Sequence, residues 1–254
     1  MATLEEQAVG SIVKLNVDGT PWNFIVVHQG LPGTKYDSSC SGTWLLMEDL
    51  YTTSKWHSKS TNKYNSSDIH GYLNDTFVNL FESDINSKIK QVKIPYLSGT
   101  GSNGLSTKAF LLSYTEVGFS GASNAVAEGA VLSYFNGVDN SKRVAKLNGS
   151  AYTWWTRSGT TDGNVWVVSS GGSEDYFAAH RSTFGVRPAL ILPPETAVSS
   201  DGMVGDSGAI TGSVIIGGVQ RELTGAGYIN IGGVLRDLSD SQTNIGGTLK
   251  SLKG

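Results

Sequence analysis

Apolar periodicity constrains this chain more than any other feature. Only around residues 68–81 do apolar positions recur near 3.6 residues (Ile69, Tyr72, Leu73, Phe77, Leu80 and Phe81), with Ser66 or Ser67 placed to cap a helix. A second short helix is predicted just after it, capped by Ser83, with Ile85, Ile89 and Val92 as its inner stripe and Pro95 beyond its end. Elsewhere the apolar runs are short and cut by glycine or by Asn-Gly and Asp-Gly pairs, as expected of strands joined by turns. "SIVKLNV" and "TPWNFIVVHQ" flank Asp18-Gly19, a strong hairpin signal. "GTWLLMEDLY", "AFLLSY", "AVLSYF", "WWTRS", "NVWVVSS" and "GVRPALIL" read as further strands, the last a single buried strand over Gly185–Leu192 ended by Pro193 and Pro194. Together these predict an α+β domain.

After "LPPETAVSSDG" the character changes. Gly-Gly pairs stand at 217–218, 232–233 and 246–247, each followed at one offset by a basic residue (Arg221, Arg236, Lys250) and then by leucine (Leu223, Leu238, Leu252). Each unit reads as strand, Gly-Gly turn, strand. A lone hairpin is marginal in water, so the repeats are expected to stack on each other, on the main domain or on another copy of the chain. The organisation expected is a main domain over residues 1–197 and hairpin repeats over 198–254, which serve assembly or attachment.

Composition excludes several function classes. Lys and Arg number 19 against 22 Asp and Glu, a net charge of −3, which offers nucleic acid or an anionic membrane no electrostatic attraction. Charged residues make up only 16% of the chain, and glycine reaches 32 residues. No run approaches the roughly 18–20 apolar residues that span a bilayer. The opening "MATLEEQAVG" lacks an apolar signal core, so synthesis in a cytoplasm and exit by another route, such as inside an assembled particle, is the expectation.

Nor is a catalytic constellation visible. His28, His57, His70 and His180 are scattered outside metal-ligand spacings, and the lone Cys40 reads as structural. "GTGSNG" at 99–104 matches a dinucleotide-binding pattern but lacks the strand and helix that give it meaning, and reads as a flexible loop. Glu174 and Asp175 are adjacent, hence on opposite faces of an extended backbone, a poor arrangement for a paired acid and base. The expectation is no enzyme activity, no cofactor and no metal.

What stands out is Trp154–Arg187, where Trp, Tyr, Phe, Arg and His sit among Ser, Thr, Asn and Gly. Aromatic side chains give contact area at low entropic cost and stack on sugar rings, while small polar residues supply adaptable hydrogen bonds. The candidate ligand-binding residues begin with Trp155, Thr156 and Arg157 and continue through Ser169, Ser170 and Ser173. They end with Glu174, Asp175, Tyr176, His180, Arg181 and Ser182. Trp154 and Trp166 read as core, and Arg187 as a structural arginine paired to a carboxylate or to carbonyls.

The ordered motifs "TWLLMEDLY", "SDIHGYLNDTFVNLF", "IKQVKIPY", "GLSTKAFLLS", "LNGSAYTWWTRS" and "GVRPALILP" resemble a family of proteins from phages and prophages of gut bacteria. That family is similar to the C-type-lectin-like ligand-binding domains whose members include variable proteins of diversity-generating retroelements. The resemblance covers roughly residues 5–195, and the tail repeats resemble "IGGV" repeats of phage structural proteins. It implies a C-type-lectin-like fold with its binding face in the loops before the last core strand, between Trp166 and Phe184, and a virion-borne protein of tail or fibre. Such a protein would recognise a bacterial surface glycan or protein. The chain departs from calcium-dependent lectins, having no EPN-, QPD- or WND-like motif, and from formylglycine-generating enzymes, which need more than one cysteine. The functional expectation is an adhesin or receptor-binding protein, homo-oligomeric with a trimer as the expected number and tied to other virion proteins through its tail. The alternative is a purely structural decoration, collar or fibre subunit that binds no host ligand.

Overall fold

A computed structural model of the protein describes residues 2–205, apart from Ser182, and beyond them the backbone of six strands between 212 and 251. Two compact units result, one over Ala2–Gly205 and one over residues 206–254.

The main unit is α+β. Its principal strands are β1 (Ile12–Val17), β2 (Thr20–Gln29), β3 (Thr43–Met47), β4 (Thr52–Ser54), β5 (Ala109–Phe110), β6 (Trp154–Gly159), β7 (Val165–Val168), β8 (Glu174–Phe177), β9 (Phe184–Val186) and β10 (Ala189–Leu192). They form two five-stranded sheets, ordered β1-β2-β3-β10-β5 and β8-β7-β6-β9-β4. Pairing is antiparallel except between β6 and β9, which run parallel through Trp154 and Gly185.

The β1–β2 hairpin forms where Asp18-Gly19 predicts it. Asp18 (φ 52°) and Gly19 (φ 70°) both occupy the left-handed region that a two-residue turn of the matching twist requires. Buried Trp44 on β3 anchors the first sheet. Its ring meets Tyr36 and Phe110 edge-on, each at 5.5 Å, and its indole donates to the Cys40 carbonyl at 3.0 Å.

Two helices lie between β4 and β5. Helix α1 (Asp68–Asp75) buries Ile69 and Leu73, and Ser67 Oγ caps it by accepting from the His70 N–H at 3.1 Å. It stops sooner than its apolar period suggests, because Asn74, Asp75 and Thr76 are weak helix formers. Asn74 turns its side chain to the β5 region, donating to the Ala109 carbonyl and accepting from the Lys108 N–H. Phe77–Leu80 then continues as a 3-10 turn, which still buries Phe77 and Val78. Helix α2 spans Ser83–Lys88 with Glu82, not Ser83, in the capping position. Val92 lies outside it, in a short strand Val92–Ile94 paired to Leu105–Thr107.

Three strand expectations need correction. "AVLSYF" holds a 3-10 turn, Ser133–Phe135, and no strand. The span from Trp166 to Phe184, where the resemblance implies loops, holds a regular strand at "EDYF", β8. "GVRPALIL" is two strands in different sheets: the chain leaves the second sheet after Val186, passes Arg187-Pro188 and enters the first as β10. Pro188 has no N–H for a ladder, so the break falls there. Arg187, 1% exposed, secures the crossing by donating to the carbonyls of Met47 (2.9 Å), Glu48 (2.8 Å) and Arg143 (3.4 Å), while its guanidinium stacks over Trp154.

The main unit also runs past the expected boundary at residue 197. Ala197–Val198 pairs with Ala2–Thr3, and the following turn docks on edge strand β1, where Lys14 N–H donates to Gly202 O and Val204 N–H to Lys14 O. Val204 is buried, so the unit closes at Gly205.

The second unit holds three antiparallel hairpins, Gly212–Ile216 with Val219–Leu223, Tyr228–Ile231 with Val234–Asp237, and Gln242–Ile245 with Thr248–Ser251. Their registers coincide. Each closes on a β-branched pair (Ile216 with Val219, Ile231 with Val234, Ile245 with Thr248) and sets a β-branched residue opposite a basic one two positions back.

Candidate functional site

The segment singled out by composition divides sharply in the structure. Trp155, Thr156 and Arg157, expected at the binding surface, are all fully buried on β6. Trp155 donates its indole N–H to the Ser54 carbonyl at 2.9 Å and packs on Phe184. Thr156 Oγ1 donates to the Trp166 carbonyl at 2.8 Å. Arg157 forms a two-pronged pair with Glu116 at 2.5 and 2.7 Å and also donates to the Leu111 and Pro95 carbonyls. Apart from Arg157 Nε, which has no hydrogen-bond partner among the described residues, the side-chain polar groups are bonded inside, so these three residues belong to the core and leave the candidate site.

Arg157 is the centre of a buried ionic cluster. Glu116 also accepts from the Tyr36 hydroxyl at 2.9 Å and the Ser113 N–H at 3.0 Å. Glu128 lies 3.9 Å from Arg157 Nε and accepts from Ser158 Oγ (2.6 Å) and the Leu97 N–H (2.8 Å). Burial pushes the Glu128 carboxyl above the usual carboxylate range, against the pull of Arg157. Burial alone would lower Arg157, but Glu116 holds the guanidinium charged. The cluster ties loops at 95–97, 111–116 and 128 to β6.

The second sheet ends at exposed edge strand β8. Glu174 pairs with Val168 and Tyr176 with Trp166, so Glu174 and Tyr176 share one face and Asp175 takes the other. Glu174, Asp175 and Tyr176 are exposed, Tyr176 at 43%. Beneath Tyr176 runs a ladder of rings: Trp166 edge-on at 5.4 Å, then Tyr114 at 4.4 Å, then Phe119 at 5.4 Å. Trp166 and Tyr114 are buried, so the exposed Tyr176 ring stands on a rigid base. The Trp166 indole N–H is buried with no partner among the described residues.

Beside this ladder a cleft of about 380 Å³ opens between Gly118, Phe119, Ser120, Asn140, Arg143, Ser173 and Glu174. Arg143 lies over the Phe119 ring at 4.5 Å and donates to Val117 O (2.6 Å) and Asn140 Oδ1 (3.1 Å). Glu174 accepts from the Tyr114 hydroxyl, whose pKa burial and then Glu174 push up. One aromatic face, one guanidinium, one carboxylate, one amide and two serine hydroxyls thus converge on one concave surface. That set suits a neutral polar ligand with hydroxyl groups.

The β7–β8 turn frames the cleft. Ser169 N–H donates to Ser173 O and Gly172 N–H to Ser169 O, both at 2.8 Å, and the two serine hydroxyls bond at 2.7 Å. Gly172 has φ +82°, and a β-carbon there would meet the Asn140 carbonyl carbon at 2.7 Å, so the turn packs backbone to backbone on the cleft wall. Ser173 lines the cleft, Ser170 is exposed, and Ser169 is half-buried with its hydroxyl engaged in the turn.

The remaining candidates sit elsewhere. His180 is half-buried and Arg181 exposed, in a turn whose Ala179 carbonyl accepts from Trp56 and His57; neither lines the cleft. Ser182 lies outside the described residues. Sequence reasoning missed Phe119, Ser120, Asn140 and Arg143. Asn140–Arg143 is a 3-10 turn capped by Asp139, whose carboxylate accepts from Ser141 N–H at 2.8 Å, and only the capping residue was locally legible.

Cys40 is buried; its thiol donates to Lys93 O at 3.2 Å, and burial pushes it up to about 11. Residues 99–104 form a loop of consecutive turns. Among the described residues no three His, Cys, Asp or Glu side chains converge as a metal site.

No curated protein and no solved structure matches the chain. Over residues 41–194 it matches the family described as Domain of unknown function (DUF6273). That span runs from the start of β3 through β10 and takes in the ionic cluster, edge strand β8 and the cleft, and on it the chain belongs to the DUF6273 family.

Proposed function

We propose that this protein is a ligand-binding module: a C-type-lectin-like domain that recognises a bacterial surface ligand, a glycan or a protein, through the β8 edge and its adjoining cleft. The observation that carries this reading is the exposed Tyr176 ring, seated on Trp166 beside a cleft lined by Phe119, Arg143, Asn140, Ser173 and Glu174. Aromatic faces stack on the apolar faces of sugars, and amide, hydroxyl and carboxylate groups take their hydroxyls. The binding residues are Ser170, Ser173, Glu174, Asp175 and Tyr176, joined by Phe119, Asn140 and Arg143. Catalysis forms no part of the reading.

The resemblance of the sequence to phage and prophage proteins supplies the setting: a tail- or fibre-associated adhesin on the virion. The tail hairpins would join homo-oligomeric copies, three on this reading, or neighbouring virion proteins. A second reading, a structural decoration, collar or fibre subunit, draws on the three hairpins of one register, since a repeated surface suits assembly.

Glycan-array and bacterial-cell binding by the full chain and by Tyr176→Ala and Glu174→Gln variants tests the proposal. Binding by the wild type that both changes abolish supports it. Wild-type binding that both variants retain would remove this face from the account. A chain without residues 206–254 that keeps ligand binding but fails to enter particles assigns attachment to the tail; absence of any cell or glycan binding by the full chain favours the structural reading.

A further inference from the structure

A second cleft, of about 320 Å³, lies on the other side of the Asn140–Arg143 turn. Asn140 and Arg143 line the first cleft, and Ser141 and Lys142 line this one. Its wall carries five charged residues, Arg187, Lys142, Lys146, Glu48 and Asp49, in a protein whose charged content is only 16%. None of the five joins an ion pair within 4.0 Å among the described residues.

Arg187 is the unusual member. Fully buried charges are normally matched by a counter-charge, as Arg157 is by Glu116. Arg187 has no carboxylate within 4.0 Å; it meets three backbone carbonyls, which use three of its five N–H donors, and Asp49 and Glu48 favour its charge from longer range. Burial pulls it down to about 10, so it remains a cation at neutral pH. The Lys142 ammonium stands 5.6 Å from the Tyr134 ring centre on the same wall. On the same wall, Asp49 accepts from the Lys146 backbone N–H at 3.0 Å through one oxygen, and Glu48 accepts from the Asn23 side chain at 2.9 Å through one. The second oxygen of each carboxylate has no hydrogen-bond partner among the described residues.

A ligand of one charge would meet repulsion from half of this wall. A ligand with both charges meets attraction at each end. We infer that this cleft binds a small zwitterion, an amino acid or short peptide with a free ammonium and a free carboxylate. Its carboxylate lies toward Arg187, Lys142 and Lys146, and its ammonium toward Glu48 and Asp49. The volume suits a ligand of that size. The inference stands apart from the β8 face, because neither Tyr176 nor Glu174 lines this cleft.

The test titrates the full chain with glycylglycine, with N-acetylglycine (anion only) and with glycinamide (cation only), by calorimetry or by chemical-shift perturbation. Glycylglycine should bind saturably and at least about tenfold tighter than either singly charged probe. Lys146→Ala and Asp49→Asn should each weaken it at least about fivefold, and Tyr176→Ala should leave it unchanged. Asparagine keeps an acceptor for the Lys146 N–H, and a thermal melt of each variant verifies folding. No saturable glycylglycine binding by the wild type, equal affinity for all three probes, or wild-type affinity in both folded cleft variants would each overturn the inference.

Discussion

Strands β6 and β8 belong to one sheet and are separated only by β7, yet they treat the same vocabulary in opposite ways. β6, "WWTRSG", is buried at all six positions, with its threonine, arginine and serine bonded internally. β8, "EDYF", exposes three of four, and its tyrosine leans on the core from outside. The difference lies in what the rest of the chain supplies. Glu116 and Glu128 reach β6 from a distant loop and make its polar groups core material. Among the described residues edge strand β8 pairs on one side only, and Glu174, Asp175 and Tyr176 stay exposed. Composition alone therefore does not tell a binding strand from a core one; exposure does.

The comparison breaks most readily at Arg157. Arg157→Ala strands two buried carboxylates, and removing one partner of a buried pair costs about 3–5 kcal/mol. Chemical denaturation should show that loss; a variant with wild-type stability would mean that β6 is not held by the cluster. Next in size is Gly172→Ala, which forces a side chain into a left-handed turn against the Asn140 carbonyl, at a cost of about 1–3 kcal/mol. It should destabilise the fold and displace the cleft wall, visible as shifted amide signals of Asn140 and Ser173.

A smaller effect separates the two strands by pH. The Glu128 carboxyl lies higher in the folded chain than in the unfolded one because of burial. Its contribution to stability is therefore complete below the ordinary glutamate pKa of about 4.3 and is lost as pH rises through the higher folded value. Glu128→Gln, which cannot ionise, should match the wild type in strong acid and gain on it as pH rises. Denaturation midpoints across that range check this, and a constant difference between the two proteins would contradict it.

How much of this was legible in the sequence follows how local each determinant is. The Asp18-Gly19 hairpin and the Ser67 cap depend on neighbours and were legible. So were the paired strands of the tail hairpins, which flank each Gly-Gly pair in the sequence. The early stop of α1 was also signalled, in Asn74, Asp75 and Thr76, but the apolar period masked it. Pro188 was a visible warning that "GVRPALIL" is not one central strand. The burial of Trp155, Thr156 and Arg157 was not legible, because Glu116 lies 41 residues upstream of Arg157 and no local pattern announces the pairing. For the same reason Arg143 and Phe119 entered the candidate site only through the fold.

Smallest in stability, and most direct as a test, is Tyr176→Ala. The side chain is exposed on an edge strand, so its removal should change folding free energy by no more than about 0.5 kcal/mol. Measuring the denaturation midpoint and bacterial-cell binding on the same Tyr176→Ala sample tests the division between a β6 that builds the fold and a β8 that meets the ligand. The account predicts an unchanged midpoint with binding lost. Full binding, or a midpoint lowered as far as that of Arg157→Ala, would contradict it.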